Sequence, residues 1–317
     1  ARPDDYNANI LLGNIFLATR DPSRARSVFI RMIAAAPELP AAYYRLGLLE
    51  KAEKNYPEAV QHLSRALELN PRFMDVFSNL ISVYRLQKNH AAALKKCDDL
   101  IAINEGVPVI ESIILNIKGN VLLDTQNGLD ARKAYQRSIE KNPRFVSPYL
   151  NLAKLSIGKQ DYDQAASIYS DLIARRPDQA LIPHGLLGAL YEKQGKTDRA
   201  KTHYIKALEI NPNYFPVLNN LAYLYAGQKQ ELNTALDLVN TAIERLGKVP
   251  ALIDTLGWVY YQKELYDIAA AQFEFCVEKE PSNPIFHYHL GLAYHRLGNH
   301  KKAGETLKKA LDLQQNF

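Results

Sequence analysis

The sequence predicts an all-α chain of nine tandem helical hairpins, and three recurrences carry that reading. An alanine returns at Ala25, Ala59, Ala93, Ala131, Ala165, Ala200, Ala235, Ala269 and Ala303, with separations of 34, 34, 38, 34, 35, 35, 34 and 34 residues. About twelve residues ahead of each stands a small residue (Gly13, Gly47, Gly119, Ala153, Gly188, Ala222, Gly257 and Gly291), with Ile81 as the exception. Twelve residues after the alanine there is often a proline: Pro37, Pro71, Pro143, Pro177, Pro212 and Pro281. A small residue on a fixed period marks a place where two helices approach too closely for a larger side chain. Proline cannot continue a helix interior, so it marks the end of each second helix.

The hairpins follow in order. The first starts near Tyr6 and carries Leu12-Gly13, Phe16, Ala25 and Phe29; the second starts near Pro40 with Leu46-Gly47, Ala59 and Leu63. The third, near Met74, has Leu80-Ile81 and Tyr84, and ends in Asn104-Glu105-Gly106-Val107-Pro108-Val109 with four extra residues. A kink or bulge is therefore expected over 104–111. The fourth, near Ser112, departs at Lys118, where a leucine otherwise stands before the small residue, and has Tyr135 after its alanine. The fifth starts near Val146 with Leu152-Ala153 and Tyr169, and the sixth near Leu181 with Leu187-Gly188, Tyr191 and Tyr204. The seventh, near Phe215, has Leu221-Ala222 and Tyr225, an extra residue around Gln230-Glu231, and Gly247 in place of the closing proline. The eighth starts near Pro250 with Leu256-Gly257, Tyr260 and Phe273, and the ninth near Pro284 with Leu290-Gly291 and Tyr294. Within each hairpin the leucine, the small residue and the aromatic fall on one helical face. Polar or glycine-containing turns join the two helices at Lys54-Asn55, Gly158-Lys159, Gly195-Lys196 and Gly298-Asn299. No segment is long enough to be a domain linker, so 1–317 reads as a single array.

This 34-residue pattern of Leu-Gly, Tyr, Ala, Phe, Ala and Pro resembles the tetratricopeptide repeat over nearly the whole chain. The resemblance implies a right-handed superhelical α-solenoid in which the first helix of each hairpin lines a concave groove and the second lies on the convex side. Each hairpin has too little apolar area to stand alone, and stacking on its neighbours supplies the core.

Composition narrows the function. The 317 residues are 47% hydrophobic with a net charge of +5, and the charges of both signs are scattered rather than gathered into the basic stripe of a nucleic-acid binder. No apolar run approaches the length of a membrane span. The chain starts at Ala1 without a methionine, the pattern of a trimmed or mature form, and the segment ahead of it is where a targeting signal is expected. Cys97 and Cys276 fall at apolar positions of the helical pattern and read as small core residues.

If positions four, seven, eight and eleven of a repeat pack inward, positions two, five, six, nine, twelve and thirteen form the opposite, groove-facing stripe. Early repeats offer Asn14, Tyr44, Arg45, Asn79, Ser82 and Arg85 there. The middle offers Asn116, Asn120, Asp124, Asn151 and Lys154, and the last three repeats offer Asn219, Asn220, Tyr223, Trp258, Tyr261, Tyr288, His289 and His295. The single tryptophan and three tyrosines thus share one expected face, where they supply rigid contact area with polar tips. Asparagine amides there can pair with the backbone of an extended peptide. The alternative reading is that these rings fill gaps between repeats.

Other chemistry finds little support. The family's clamp for an acidic C-terminus needs Lys, Asn and Arg in consecutive repeats, and only Asn14 and Arg45 fit. An asparagine ladder at the sixth position is partial: Asn79, Asn151 and Asn220 occupy it, while Arg45, Ile117, Leu186, Thr255 and His289 interrupt it. His287 and His289, two apart on a helix, point to nearly opposite sides and cannot easily share a metal ion, and His287 occupies a position facing its hairpin partner. No phosphate loop or cofactor motif is present, and carboxylates such as Asp124 and Asp254 show no identifiable partner for acid–base work. The chain stops within the last turns of its ninth hairpin, at Leu311 to Phe317, so Leu307 and Leu311 are expected to lack a covering repeat, with a second copy on that end face as one way to cover them.

The expected function is therefore a non-enzymatic scaffold or adaptor that binds a peptide or a partner helix in its groove. The alternatives are a self-associating assembly subunit and the regulatory domain of a larger enzyme such as a glycosyltransferase. Leu221–Ala226 and Ile253–Tyr261 resemble segments of bacterial tetratricopeptide proteins of envelope assembly and exopolysaccharide export, which leans the expected location toward the periplasm or envelope.

Overall fold

The computed structural model describes residues 5–229 and 231–314. Among them are eighteen α-helices and no strand. In chain order these are α1 (Tyr6–Ala18), α2 (Pro22–Ala35), α3 (Pro40–Ala52), α4 (Tyr56–Leu69), α5 (Met74–Leu86), α6 (His90–Ile103), α7 (Pro108–Asp124), α8 (Gly128–Lys141) and α9 (Val146–Gly158). They continue as α10 (Tyr162–Arg175), α11 (Leu181–Lys193), α12 (Thr197–Ile210), α13 (Phe215–Gly227), α14 (Leu232–Leu246), α15 (Pro250–Gln262), α16 (Tyr266–Lys279), α17 (Pro284–Arg296) and α18 (His300–Gln314). The chain forms two compact units, residues 1–161 and 162–317. Within each, odd-numbered helices also touch one another: α3 with α5 and α5 with α7 in the first, α11 with α13, α13 with α15 and α15 with α17 in the second. Each unit holds four hairpins and one further helix, α9 in the first and α10 in the second, with its first helices side by side on one face.

The recurring small residue explains the hairpins. A Cβ built on Gly13 would lie 2.4 Å from Phe29, on Gly47 2.7 Å from Leu63, and on Gly119 2.4 Å from Tyr135. In the second unit the same contact joins Gly188 to Tyr204 at 2.3 Å, Gly257 to Phe273 at 2.6 Å and Gly291 to Leu307 at 2.6 Å. Each bulky partner thus sits directly on the backbone of the facing helix, filling space that any side chain there would occupy. Two of the three rungs that depart from glycine carry a smaller partner: Ala222 is matched by Val239 and Ile81 by Cys97, and all four are buried. The third, Ala153, keeps a tyrosine, Tyr169, at the partner position of the sequence. Burial pushes both thiols up, to about 12 for Cys97 and for Cys276, so they act as small apolar fillers and not as nucleophiles.

The turns repeat as faithfully. In eight of the nine hairpin turns the described residues complete a bond from the first residue after the turn to a carbonyl five residues back, as in Asp21 N–H to Phe16 O at 2.8 Å and Asn299 N–H to Tyr294 O at 2.9 Å. In eight turns one residue takes the left-handed conformation: Gly195 and Gly298 do so, but so do Arg20, Lys54, Lys88, Gln126, Gln160 and Glu264, while the seventh turn has two, Lys229 and Glu231. The fifth turn differs from expectation, since Gly158 closes α9 as a helical residue and Gln160 is the left-handed one. The extra residue of the seventh turn falls on Gln230, outside the described residues, and on Glu231, the left-handed N-cap of α14.

The four extra residues before the fourth hairpin do not form an irregular bulge. They add a turn to the front of α7, which starts at Pro108 and runs for 17 residues where the other first helices have 13. Four residues are close to one helical turn, so the added segment keeps its face. The carboxylate of Glu111 fixes this extension, accepting the Gly106 N–H at 2.8 Å and pairing with Lys141. Lys118, which departs from the leucine pattern, reaches out of the core to Asp98 at 2.5 Å. At the far end Leu307 packs over Gly291, while Leu311 is 59% exposed beside an apolar cleft of about 770 Å³ lined in part by Ile285, Tyr288 and Leu307. Residues 315–317 of the chain end discussed above lie outside the described residues.

One polar pair is built into the α11–α12 hairpin. His184 and His203 approach with their Nδ1 atoms 2.9 Å apart, and Tyr191 stacks on His203 with ring centroids 5.5 Å apart. One ring must donate and the other accept, so at least one is neutral. Burial lowers both rings below the ordinary histidine value; for His203 the neighbouring ring and Lys206 add to it, bringing it down to about 4.

Two outcomes are expected. Gly188→Ala gains about 1 kcal/mol of helix propensity but forces a methyl group onto Tyr204, so overpacking of about 1–3 kcal/mol wins and denaturant midpoints fall. Cys97→Phe is similarly destabilising alone, and adding Ile81→Gly recovers part of that loss. In the second case, the unfolded His203 binds a proton below about pH 6.5 while the folded one stays neutral to about pH 4. Stability is therefore lost as pH falls through that window, and denaturant titrations should show a shallower loss in His203→Gln.

Candidate functional site

The face formed by the first helices carries the residues singled out in the sequence, and the two units equip it differently. In the first unit the asparagines meet one another. Asn151 donates from Nδ2 to Oδ1 of Asn116 at 2.9 Å and of Asn120 at 3.2 Å, and the Tyr135 hydroxyl donates to Asn120 at 2.8 Å. Asn116 is only 7% exposed, so it braces Asn151 instead of standing free as a rung for a peptide. Asn79 is likewise engaged, donating to the Tyr44 hydroxyl and accepting from Lys51. Asn120, Asn151 and Lys154 line a cleft of about 500 Å³ with Arg85 and Asp124. Asp124 is not isolated: Arg85 binds it through two nitrogens and holds its carboxyl below the usual range.

In the second unit the predicted rings do come together. Trp258 on α15 is the centre, with Tyr261 parallel at 5.1 Å, His289 stacked at 4.8 Å and Tyr223 stacked at 6.3 Å, all between centroids. Tyr288 tilts against His289 at 5.8 Å, and Phe273 approaches His289 from the core side at 5.4 Å. The spacing of one repeat makes this possible: Tyr223 and Trp258 hold the same position of adjacent first helices, one turn after Asn219 and Asp254 respectively. Tyr223 is 37% exposed and Tyr288 50%, while Trp258 and Tyr261 are half-buried.

His289 is corrected from a groove contact to a support. It is 4% exposed, and its Nδ1 lies 2.8 Å from Oδ1 of Asp254, itself buried. The carboxylate fixes the imidazole, and the imidazole backs the indole. Asp254 therefore has the partner that could not be read from sequence, one repeat away on α17. His287 turns from it to the carbonyl of Pro281, 2.9 Å from Nε2, so the two histidines serve different partners. His295 is exposed at the end of α17, where its ring meets His300 at 5.3 Å and stands outside the stack. Asn219 and Asn220 are half-buried; Asn220 Nδ2 lies 3.4 Å from the Tyr204 hydroxyl, which donates to Glu192 at 2.7 Å. Two buried polar atoms have no hydrogen-bond partner among the described residues here: Nε1 of Trp258 and Oδ1 of Asn219. Ile182, which the sequence reading passed over, and Leu186, which it noted only as a break in the asparagine ladder, are 49% and 37% exposed on α11, the first helix next to α13.

Sequence models of the tetratricopeptide repeat match residues 40–73, 118–180, 183–214, 203–237 and 255–316, together well over half of the chain. The chain belongs to the tetratricopeptide repeat family. The hairpins are thus those of an interaction fold whose members bind proteins or peptides. The chain is 23% identical to the BBSome complex member BBS4 homolog of Drosophila melanogaster over 331 aligned positions, covering 99% of the chain and 66% of that protein. It is 22% identical to the lipopolysaccharide assembly protein B of Haemophilus influenzae, over 66% of the chain and 54% of that protein. The chain therefore spans about two thirds or less of these relatives. The crystal structure of the Cut9–Hcn1 hetero-tetramer of the anaphase-promoting complex aligns with 99% of the chain and 61% of its own at 17% identity, with a TM-score of 0.56, which shows the shared tetratricopeptide fold. Among the described residues no helix is long and apolar enough to cross a membrane.

The Asp254–His289 pair generates a prediction. Asp254→Ala leaves a buried imidazole without its acceptor, at a cost of about 1–3 kcal/mol. It also frees the ring behind Trp258, so the emission of the chain's one tryptophan should shift while the fold, followed by circular dichroism, is retained.

Proposed function

We propose that this chain is a non-enzymatic scaffold that holds a segment of another protein against the first helices of its second unit, with Tyr223, Trp258, Tyr261 and Tyr288 as the anchor. The observation that carries the reading is the row of apolar and aromatic side chains across consecutive first helices: the exposed Ile182 and Leu186 on α11, Tyr223 on α13 and Tyr288 on α17, and the half-buried Trp258 and Tyr261 on α15. Isolated apolar residues on a surface need no explanation, but a contiguous row with polar neighbours is the make-up of an interface. Its rings are already ordered by mutual stacking and by the Asp254–His289 support, so a partner that binds them loses little side-chain entropy. The exposed polar groups of the strip are amides and hydroxyls, and its one acid–imidazole pair, Asp254–His289, is buried behind Trp258 as a support, which favours recognition over catalysis. Two of the relatives are named for a complex and for an assembly process, in keeping with such a role.

The reading is tested by affinity capture with the wild-type chain, with Trp258→Ala, Tyr261→Ala, and with Tyr223→Ala, Tyr288→Ala. The second pair is exposed enough that its melting curve should stay within about 0.5 kcal/mol of wild type. Loss of captured partner with melting unchanged is the expected result. Capture retained by both pairs, or loss that tracks unfolding, would sink it.

A further inference from the structure

The more exposed aromatic residues of the second unit differ in what lies on their rings. Away from the strip, several rings are paired with cations of the same chain: Lys193 lies over Tyr162 at 5.4 Å, Arg199 over Tyr191 at 5.6 Å, Lys201 over Tyr225 at 4.6 Å, Arg296 over Tyr266 at 4.7 Å and Lys302 over Tyr294 at 5.1 Å. Over Tyr223, Trp258, Tyr261 and Tyr288 no such cation is found among the described residues. Lys263, two residues after Tyr261, is bonded to Asn233, and Lys193 and Arg296 are engaged on Tyr162 and Tyr266.

At the Tyr223–Trp258 end of the strip the neighbouring charges are carboxylates, whereas Arg296 is felt at Tyr261 on the far side. Glu192 closes the Tyr204–Asn220 chain on one side, and Asp254 lies beneath Trp258 on the other. Burial first, and then the carboxylates of Asp254 and Glu192, hold the Tyr223 phenol above its ordinary value, so both charges are felt at the ring. The cleft on the first unit's own face is lined by Lys154 and Lys159 beside the paired Arg85 and Asp124, a net positive set. The two faces therefore differ in the charge they would welcome.

On the reading that this strip is the binding surface, we propose that the segment it holds presents an arginine side chain over Tyr223 and Trp258, with Glu192 and Asp254 supplying the counter-charge. A guanidinium is planar and weakly hydrated, so it can lie flat on an indole or phenol face while keeping its edge for a carboxylate. The arrangement is complementary to a basic segment and repels an acidic one.

The chain has one tryptophan and it is in the strip, so its emission reports occupancy directly. The probes are three capped peptides with leucine-containing flanks and no aromatic residue, identical except for a central arginine, citrulline or glutamate. The arginine peptide should change Trp258 emission saturably and bind about tenfold more tightly than its citrulline twin. That advantage should shrink with added salt and fall in Glu192→Gln and in Asp254→Asn, both checked for an unchanged melt. Equal binding of the arginine and citrulline peptides overturns the arginine assignment and leaves the strip as a binding surface. Tighter binding of the glutamate peptide reverses the assigned polarity, and an arginine preference untouched by either variant removes the two carboxylates from it. No response to any of the three overturns this inference and counts against the binding strip as well.

Discussion

Six of the nine hairpins depend on one close approach, in which a bulky side chain of the second helix rests on the bare backbone of the first. The contact sets the separation of the two helices, and with it where the remaining side chains of the first helix can point. Phe29, Tyr135, Tyr204 and Phe273 are wholly buried because a glycine stands opposite each of them. The energy of such a rung is that of burying an aromatic ring, on the order of 2–3 kcal/mol, and it is repeated along the chain. Stability is thus distributed among many like contacts, and the face opposite the rungs is left free to differ from repeat to repeat.

That division of labour decides what could be read from the sequence. The rungs recur on a period of about 34 residues, so their spacing announces the helices, the turns and the core positions before any coordinates. The groove positions do not recur, and a side chain's partner there lies one repeat away on another helix. The aromatic cluster was legible because its members share a phase within successive repeats. The roles inside it were not: only the structure shows that Asp254 reaches His289 thirty-five residues on, and that His289 backs Trp258 instead of meeting a partner. Asn116 is the same case, an amide with the phase of a groove rung that is used up in bracing Asn151. The exposure of Ile182 and Leu186 was not legible because an aliphatic side chain in an apolar helix carries no distinguishing sign until its burial is known.

The irregular fourth hairpin shows where phase arguments stop. Counting residues locates the four-residue excess but not its form, since a loop and an added helical turn consume the same length. Pro108 at the front of α7 and the Glu111 carboxylate, which ties the new turn to Gly106 and Lys141, favour the helix. Because the addition is nearly one full turn and sits ahead of the repeat proper, the Gly119–Tyr135 rung behind it is undisturbed.

The third hairpin, in which Ile81 and Cys97 exchange the usual sizes, has a bearing on modularity. A helix taken from it and joined to the complement of any other hairpin would bring either two bulky residues or two small ones to the same rung. The first combination clashes and the second leaves a void. The exchangeable cassette of this architecture is consequently the whole hairpin, and recombination of its segments is cleanest in the turns between hairpins, where no such matched pair is divided.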